Sequence, residues 1–225
     1  MIKAVIFDLD GTLVTFNLDY KTLRAEVLQF LAKRGFPRSI FSMRESFFRT
    51  LEKAEIYMKN NGVKEKDFQQ IRKSVFSIAN RYEMEAARET SLVSGVLETL
   101  KALRRKGLRI ALFTANDEKP TDYVLRRFRL KPFFDAVVTR QSVKNIKPNP
   151  AHLEAALKAL EVKPEEAVVV GDSIYDMKCA QGLGVTAIGI TTRTSSKELT
   201  QAGATHVTSS FTELPNIIEQ FGETQ

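Results

Sequence analysis

The feature that most constrains this chain is an apolar run near its start that stops at two aspartates. The run Ile2–Phe7 is followed directly by Asp8, Asp10 and Gly11. A short, continuous apolar run that ends in acidic and turn-forming residues predicts a strand buried on both faces, as in a parallel sheet covered by helices. Ligands bind at the carboxyl ends of such strands, so Asp8 and Asp10 are predicted to lie where chemistry takes place.

The spacing of the two aspartates indicates what they could hold. Alternate residues of an extended chain share a face, so both carboxylates are able to point into one site, with the carbonyl of Asp10 nearby. Two carboxylates repel each other unless a cation or a proton intervenes, and Mg²⁺ prefers oxygen ligands of this kind. The alternative is structural, because Asp and Gly are common in turns that follow strands.

Beyond residue 94, helical and strand patterns alternate, which predicts an α/β fold with a doubly wound parallel sheet. A chain of 225 residues with 43% apolar content is long enough to bury a sizeable core. The later predicted strands are Leu108–Phe113, Ala136–Thr139, Ala167–Val170, Val185–Ile190 and Thr205–Thr208. The predicted helices around them are Val96–Leu103, Tyr123–Phe128, Ala151–Leu160, Ser173–Leu183 and Leu214–Phe221.

Residues 16–89 have a different pattern. Apolar residues recur there at helical spacing in three segments: one around Leu23, one between Ile40 and Met58, and one from Phe68 to Tyr82. No strand pattern interrupts them. The sequence therefore predicts a helical domain, residues 16–89, inserted into an α/β core domain made of residues 1–15 and 90–225.

A second polar stretch, Phe113–Asn116, follows the predicted strand that begins at Leu108. A threonine hydroxyl and exposed backbone N–H groups at the start of a helix suit a phosphate oxygen. The alternative is that Asn116 or Asp117 only caps the next helix.

A third stretch contains Lys147 directly before Pro148. A residue before proline is held extended, so Lys147 is predicted to project from a loop as a localised positive charge. Lys144 is a competing candidate, although no proline follows it.

The fourth stretch ends the predicted strand that begins at Ala167. Gly171 permits a tight turn, Asp172 follows it, and Asp176 lies one helical turn later on the same side. Asp172 as a helix cap is the structural alternative. Further acids beside Asp8 and Asp10 would be costly as structure alone, which favours a cation site.

Together the four stretches resemble, in order, the four motifs of the haloacid dehalogenase-like (HAD) phosphohydrolase superfamily. The predicted helical insertion lies where many members carry a cap. The resemblance implies a Rossmann-like core with a helical cap, and a Mg²⁺-dependent phosphatase for a small phosphorylated metabolite, similar to phosphoglycolate phosphatases. A sugar phosphomutase resembling β-phosphoglucomutase is the alternative, and a non-catalytic anion-binding module is a third reading.

The resemblance also implies roles for individual residues. Asp8 would attack phosphorus, forming an aspartyl phosphate, and Asp10 would act as general acid and then as general base. The implied metal ligands are Asp8, the carbonyl of Asp10 and Asp172, with Asp176 acting through a water or its neighbours. The implied phosphate-binding residues are Gly11, Thr114, Ala115, Asn116 and Lys147, and Thr114 and Lys147 also count as catalytic.

Composition adds expectations about partners and compartment. The net charge is +7 and the pI is about 9.5, but the basic residues are scattered, so no nucleic-acid partner is expected. The single cysteine, Cys179, fits a reducing compartment, and no apolar segment is long enough to span a membrane. A cytoplasmic protein, monomeric or homodimeric, is expected.

Overall fold

In a computed structural model of the protein, residues 1–15 and 17–223 are described. The predicted boundary of the inserted domain at Phe16 therefore lies outside the described residues. The strands of the described chain are β1 (Ala4–Phe7), β2 (Arg109–Phe113), β3 (Ala136–Val138), β4 (Ala167–Gly171), β5 (Thr186–Ile190) and β6 (His206–Thr208).

These strands form one parallel sheet in the order β3-β2-β1-β4-β5-β6. The chain builds outward from β1 to β3, then returns to the other side of β1 and builds outward again. Phe7 is the register partner of Val170, so β1 and β4 end at the same level of the sheet. The strand order reverses between these two central strands, which is where open α/β sheets bind ligands.

Helices cover the sheet because its central strands are apolar on both faces. Every residue of β1 is buried. Ala4 and Ile6 belong to a cluster that includes Leu153 and Met177 from helices, whereas the ring of Phe7 stacks on Phe211 at 6.1 Å. The helices that accompany the sheet are α4 (Val96–Arg105), α5 (Glu118–Arg127), α6 (Ala151–Leu160), α7 (Ile174–Leu183), α8 (Ser196–Gln201) and α9 (Leu214–Glu223). The doubly wound α/β class is confirmed.

The chain divides into two compact units. One comprises Met1–Phe16 and Thr90–Gln225 and is called the sheet unit here; the other, the helical unit, is Asn17–Glu89. The helical unit consists of α1 (Tyr20–Lys33), α2 (Phe47–Asn60) and α3 (Glu65–Glu89). It has its own apolar core, drawn from all three helices: Leu23, Val27, Leu31, Phe47, Leu51, Ala54, Met58, Phe68, Ile71, Val75 and Ala79.

The prediction of a helix beginning near Ile40 was wrong. A 3₁₀ turn, Arg38–Ile40, is followed by a non-helical segment, and α2 starts at Phe47. The hydroxyl of Ser46 accepts a hydrogen bond from the Arg49 N–H and so caps the helix. Apolar spacing alone does not mark this start, because Ile40 packs against the same core from outside the helix. Among the described residues, none of the helices contains an apolar stretch that could span a lipid bilayer.

Candidate active site

Asp8 is the first residue beyond β1 and the centre of a buried charge cluster. Its backbone N–H donates to the Val170 carbonyl at 3.0 Å, which ties it to the neighbouring strand β4. Its side chain is buried, and its Oδ1 accepts a hydrogen bond from Lys147 Nζ at 2.5 Å. The end of the central strand therefore presents a carboxylate in direct contact with a cation.

Lys147 is held from three sides. Its Nζ also donates to Asp176 Oδ1 at 2.7 Å and lies 4.1 Å from the centroid of the Phe113 ring. Burial disfavours the charged ammonium, but Asp176 and Asp8 outweigh burial and raise the pKa of Lys147 above its ordinary value. Lys147 therefore stays charged. The competing candidate, Lys144, is exposed.

The cap of α7 shows that Asp172 is not a helix cap. Ser173 takes that place, because its hydroxyl accepts from the Asp176 N–H. Asp176 Oδ2 in turn accepts from the Ser173 N–H at 3.1 Å and from its hydroxyl at 2.6 Å. Such a capping box satisfies the helix start by itself. Asp172 is buried without this structural role, so the structural alternative for it fails.

The two oxygens of the Asp172 carboxylate differ, because one accepts a hydrogen bond from the described residues and the other, called the open oxygen here, does not. Its Oδ1 accepts a hydrogen bond from the Thr12 hydroxyl at 3.3 Å. Among the residues that the structure describes, Oδ2 accepts no hydrogen bond although it is buried. Gly11 makes room beside that atom: its φ is +84°, and a Cβ there would lie 2.3 Å from Asp172 Oδ2. Only glycine fits this turn, both for its backbone conformation and for the space.

Three buried carboxylates converge at this point. Asp8, Asp172 and Asp176 each offer an oxygen, and these oxygens lie within 4.8 Å of one another. Burial raises the pKa of Asp8 to about 6, with Lys147 opposing and Asp176 adding to the shift. Burial, reinforced by Asp8 and Asp176, raises the pKa of Asp172 to about 8. The carboxylates thus repel one another, and an all-oxygen set with one open buried oxygen fits a hard divalent cation.

The side chain of Asp10 lies outside that carboxylate cluster. Instead, its Oδ2 accepts a hydrogen bond from the Asn116 side-chain amide. Asn116 belongs to the second polar stretch, where the Thr114 hydroxyl accepts from the Asn116 N–H at 3.2 Å. Asp117, rather than Asn116, is the cap of α5. The first and second stretches are therefore joined through Asp10 and Asn116.

The structure adds two residues near the site that the sequence did not single out. Arg140 is buried and donates to the Ala115 carbonyl at 2.8 Å and to Asp117 Oδ2 at 3.3 Å, so it holds the turn that carries the second stretch. His152 is also buried, and its Nδ1 accepts from the backbone N–H of Lys147 at 3.2 Å. His152 does not follow a strand, which is the pattern that indicated the aspartates and Thr114. Arg140 does follow the predicted strand Ala136–Thr139, but nothing in the sequence distinguished it from the other basic residues.

The sequence pattern and the site geometry agree with a comparison against protein families. Residues 5–190 match the family of haloacid dehalogenase-like hydrolases. The chain belongs to this family. The match runs from β1 through β5, so it includes all four polar stretches of this hydrolase.

Individual relatives of this HAD hydrolase carry the names of phosphatases and, in one solved structure, of a phosphomutase. A phosphoglycolate phosphatase of Nitrosospira multiformis is 34% identical over 81% of this chain and 80% of its own length. A pyrophosphatase PpaX of Bacillus cereus is 32% identical with the same two coverages. A solved structure from Thermotoga maritima, assigned as a beta-phosphoglucomutase, is 28% identical with a TM-score of 0.61, covering 97% of this chain and 99% of its own. This HAD hydrolase is a phosphatase.

Proposed function

We propose that this phosphatase is a Mg²⁺-dependent phosphomonoester hydrolase for small metabolites, and that it acts through an aspartyl phosphate on Asp8. The observation that carries the proposal is the buried cluster of Asp8, Asp172 and Asp176 with the Lys147 ammonium between Asp8 and Asp176. A buried charge cluster of this kind costs stability, so a catalytic use is the economical explanation.

In this proposal Asp8 and Asp10 divide the chemistry. Asp8 Oδ attacks phosphorus, the bond to the leaving oxygen breaks, and the phosphoryl group is carried on the aspartate. Asp10 donates its proton to that oxygen and then takes a proton from the water that attacks the phosphorylated Asp8. The amide of Asn116, which donates to one Asp10 oxygen, fixes the orientation of this acid. The Lys147 ammonium, which donates to Asp8 Oδ1, favours the ionised and hence nucleophilic form of Asp8.

The remaining residues would stabilise charge. Mg²⁺, held by Asp8, Asp172 and the Asp10 carbonyl, would supply positive charge that offsets the negative phosphoryl oxygens. The Asn116 N–H already donates to the Thr114 hydroxyl, and the Gly11 N–H donates to the Val14 carbonyl at 2.8 Å, so these two groups would bind phosphate only by exchanging those partners. Lys147, the Thr114 hydroxyl and the backbone N–H of Ala115 would contact the phosphoryl oxygens directly. These groups are preorganised by residues that need not touch substrate. Asp176 holds the Lys147 ammonium, and Arg140 holds the Ala115 carbonyl.

The substrate class follows from the relatives and remains part of the proposal. Phosphoglycolate and pyrophosphate are the first compounds to test, because the relatives named for these substrates cover four-fifths of the chain. A panel of these compounds, sugar phosphates and nucleotides, ranked by kcat/KM, identifies the substrate. Activity should require Mg²⁺ and disappear in excess EDTA, whereas Ca²⁺ should inhibit because it imposes a looser, higher coordination. Full activity in EDTA would overturn the metal-dependent mechanism.

A sugar phosphomutase is the second candidate, favoured by the likeness to the Thermotoga maritima protein. A mutase returns the phosphoryl group to a sugar instead of to water. Incubation with β-glucose 1-phosphate, primed with the sugar bisphosphate, distinguishes the two. Release of inorganic phosphate without glucose 6-phosphate supports the phosphatase, and accumulation of glucose 6-phosphate supports the mutase.

A further inference from the structure

Arg193 lies beside the open oxygen of Asp172. It belongs to the loop that follows β5, beyond residues 5–190 that match the family. Its Nε is 3.5 Å from Asp172 Oδ2. The Arg193 side chain is 39% exposed whereas that of Asp172 is 1% exposed, so a solvent-accessible cation reaches a buried anion.

The loop is fixed so that Arg193 reaches this point. The hydroxyl of Thr192 donates a hydrogen bond to the Gly11 carbonyl, which joins the loop to the turn after β1. The Arg193 stem then passes over Gly11, because a Cβ on that glycine would lie 2.8 Å from Arg193 Cδ. The missing side chain of Gly11 thus makes room for both the Asp172 carboxylate and the arginine stem.

Arg193 and Lys147 pair with different carboxylates of the site. Lys147 is engaged by Asp8 and Asp176 at 2.5 and 2.7 Å. Asp172 Oδ1 is engaged by Thr12, and Oδ2 has Arg193 as its ion-pair partner at 3.5 Å. The Arg193 guanidinium therefore places a positive charge beside the buried carboxylate oxygen that accepts no hydrogen bond from the described residues.

We propose that Arg193 is an internal counter-cation of Asp172 that competes with the divalent metal for the Oδ2 atom. It stabilises the site without metal and thereby weakens metal binding. This inference rests on the proposed metal site, since a cation that neutralises the carboxylate in one state must lose part of that interaction when a second cation binds there.

The test is Mg²⁺ binding by isothermal titration calorimetry to the full chain, without substrate, at low salt. Arg193→Met removes the charge and keeps an apolar stem, and it should bind Mg²⁺ roughly three- to tenfold more tightly than the wild type. Arg193→Lys keeps the charge and should restore an affinity near that of the wild type. Arg105→Met, at the exposed end of α4, changes the net charge equally and should leave the affinity unchanged.

Thermal unfolding provides a second readout that does not depend on turnover. In EDTA, Arg193→Met should melt roughly 1–3 °C below the wild type, because the buried Asp172 loses its counter-cation. In saturating Mg²⁺ the difference should shrink, since the metal then neutralises the carboxylate. The gain in Mg²⁺ binding free energy must equal the part of the stability difference that saturating Mg²⁺ removes, because binding and unfolding form one thermodynamic cycle.

The outcomes separate this inference from the function on which it rests. If the wild type binds no Mg²⁺, the metal site itself is wrong and the inference falls with it. If the wild type binds Mg²⁺ and Arg193→Met binds it equally or more weakly, only the counter-cation role is overturned. Unchanged Mg²⁺ affinity with a raised KM for substrates that carry a second anionic group would assign Arg193 to substrate instead.

Discussion

The two units of this chain treat charge in opposite ways. In the helical unit, the ion pairs Arg49–Glu52, Lys59–Glu55, Arg81–Glu26 and Lys53–Glu45 are accessible to solvent, and each partner is at least 28% exposed. At the carboxyl ends of β1 and β4 in the sheet unit, the side chains of Asp8, Asp172, Asp176 and Lys147 are at most 9% exposed. Opposite charges are paired in both places, but only the pairs at the strand ends are buried away from water.

This difference in burial determines where the removal of a charge should matter most. A surface ion pair gains little, because water and salt screen it and two long side chains must be ordered. A buried pair is costly to form, and removing one partner leaves the other uncompensated. The same type of substitution should therefore have a small effect in the helical unit and a large one at the strand ends. The predictions below test that contrast.

The largest expected effect is that of Asp8→Asn. If Asp8 is the nucleophile, turnover should fall roughly 10,000-fold or more for every ester, whatever its leaving group. Glu26→Gln removes a carboxylate from the Arg81 pair of the helical unit and should leave kcat unchanged. Steady-state kinetics with phosphoglycolate and p-nitrophenyl phosphate provide the measurement. Substantial activity in Asp8→Asn would show that another group attacks phosphorus.

Asp10→Asn should have an effect that depends on the leaving group. With an alkyl phosphate, both steps need Asp10 and the rate should fall roughly 100- to 10,000-fold without a burst. With p-nitrophenyl phosphate the leaving group departs unprotonated, so one equivalent should be released before hydrolysis of phosphorylated Asp8 becomes slow. Stopped-flow absorbance and mass spectrometry of the trapped protein measure this. Equal losses for both esters, with no phosphorylated protein, would contradict the role of Asp10.

Lys147→Met should destabilise the protein strongly. It leaves Asp8 and Asp176 without their shared cation, at a cost of about 3–5 kcal/mol in the free energy of unfolding. Lys59→Met, which breaks the exposed pair with Glu55, should give no resolvable change. Urea unfolding of both variants in EDTA at pH 7 compares them. A mild effect of Lys147→Met would mean that the carboxylates take up protons readily. The loss of a buried cation would then cost little more stability than the loss of an exposed one.

His152 should make stability depend on pH. Burial, together with the Lys147 charge, lowers the pKa of His152 to about 3. Between pH 6.5 and 3 the unfolded chain binds a proton that the folded chain excludes. The His152 contribution is therefore complete above pH 6.5 and is lost as the pH falls, by up to about 1.4 kcal/mol per pH unit.

The difference between wild type and His152→Gln isolates this contribution, because the raised pKa values of Asp8 and Asp172, which act in the opposite direction, are common to both proteins. Urea unfolding in EDTA between pH 4.5 and 7.5 should show the wild type losing stability faster than the variant as the pH falls. His206→Gln, at an exposed position of β6, should follow the wild type. Parallel curves for His152→Gln and wild type would refute the prediction.

The smallest expected effect on simple chemistry is that of removing the helical unit. The ends of the excision already touch: the Thr15 N–H donates to the Ser91 carbonyl at 2.8 Å, and the hydroxyl oxygens of Thr15 and Thr90 are 3.1 Å apart. A short Gly-Ser linker in place of residues 17–89 should therefore give a folded sheet unit. We expect it to hydrolyse p-nitrophenyl phosphate within roughly tenfold of the full chain but to discriminate less among metabolites. An unchanged substrate ranking would show that the helical unit does not set specificity.

The sequence was most informative where an apolar run stops at polar residues. The strands before Asp8, Thr114 and Asp172 could be predicted because buried parallel strands have few other patterns, and their carboxyl ends must share one edge of the sheet. Ser173 shows the limit of local reasoning. Asp172 and Ser173 are both good caps, and only the position of Asp176 in the folded helix decides between them.

Contacts between distant loops could not be predicted. Thr192 and Gly11, which bring Arg193 to the site, are 181 residues apart and neither lies in a periodic pattern. Arg140 resembles any other basic residue until the fold buries it under the turn at Ala115. The short helix α8 was also missed, because one apolar residue, Leu199, is all that it buries.

The hydrogen bond between Thr12 and Asp172 spans 160 residues of chain, from the turn after β1 to the turn after β4. A nascent chain that has completed β1, the helical unit and β2 still lacks Asp172 and Asp176, and therefore most of the carboxylate cluster. Such long-range pairing forms late and slowly compared with local helices. During synthesis, phosphatase activity should thus appear only after β1 and β4 have paired. Truncated products that lack β4 should be inactive rather than partly active.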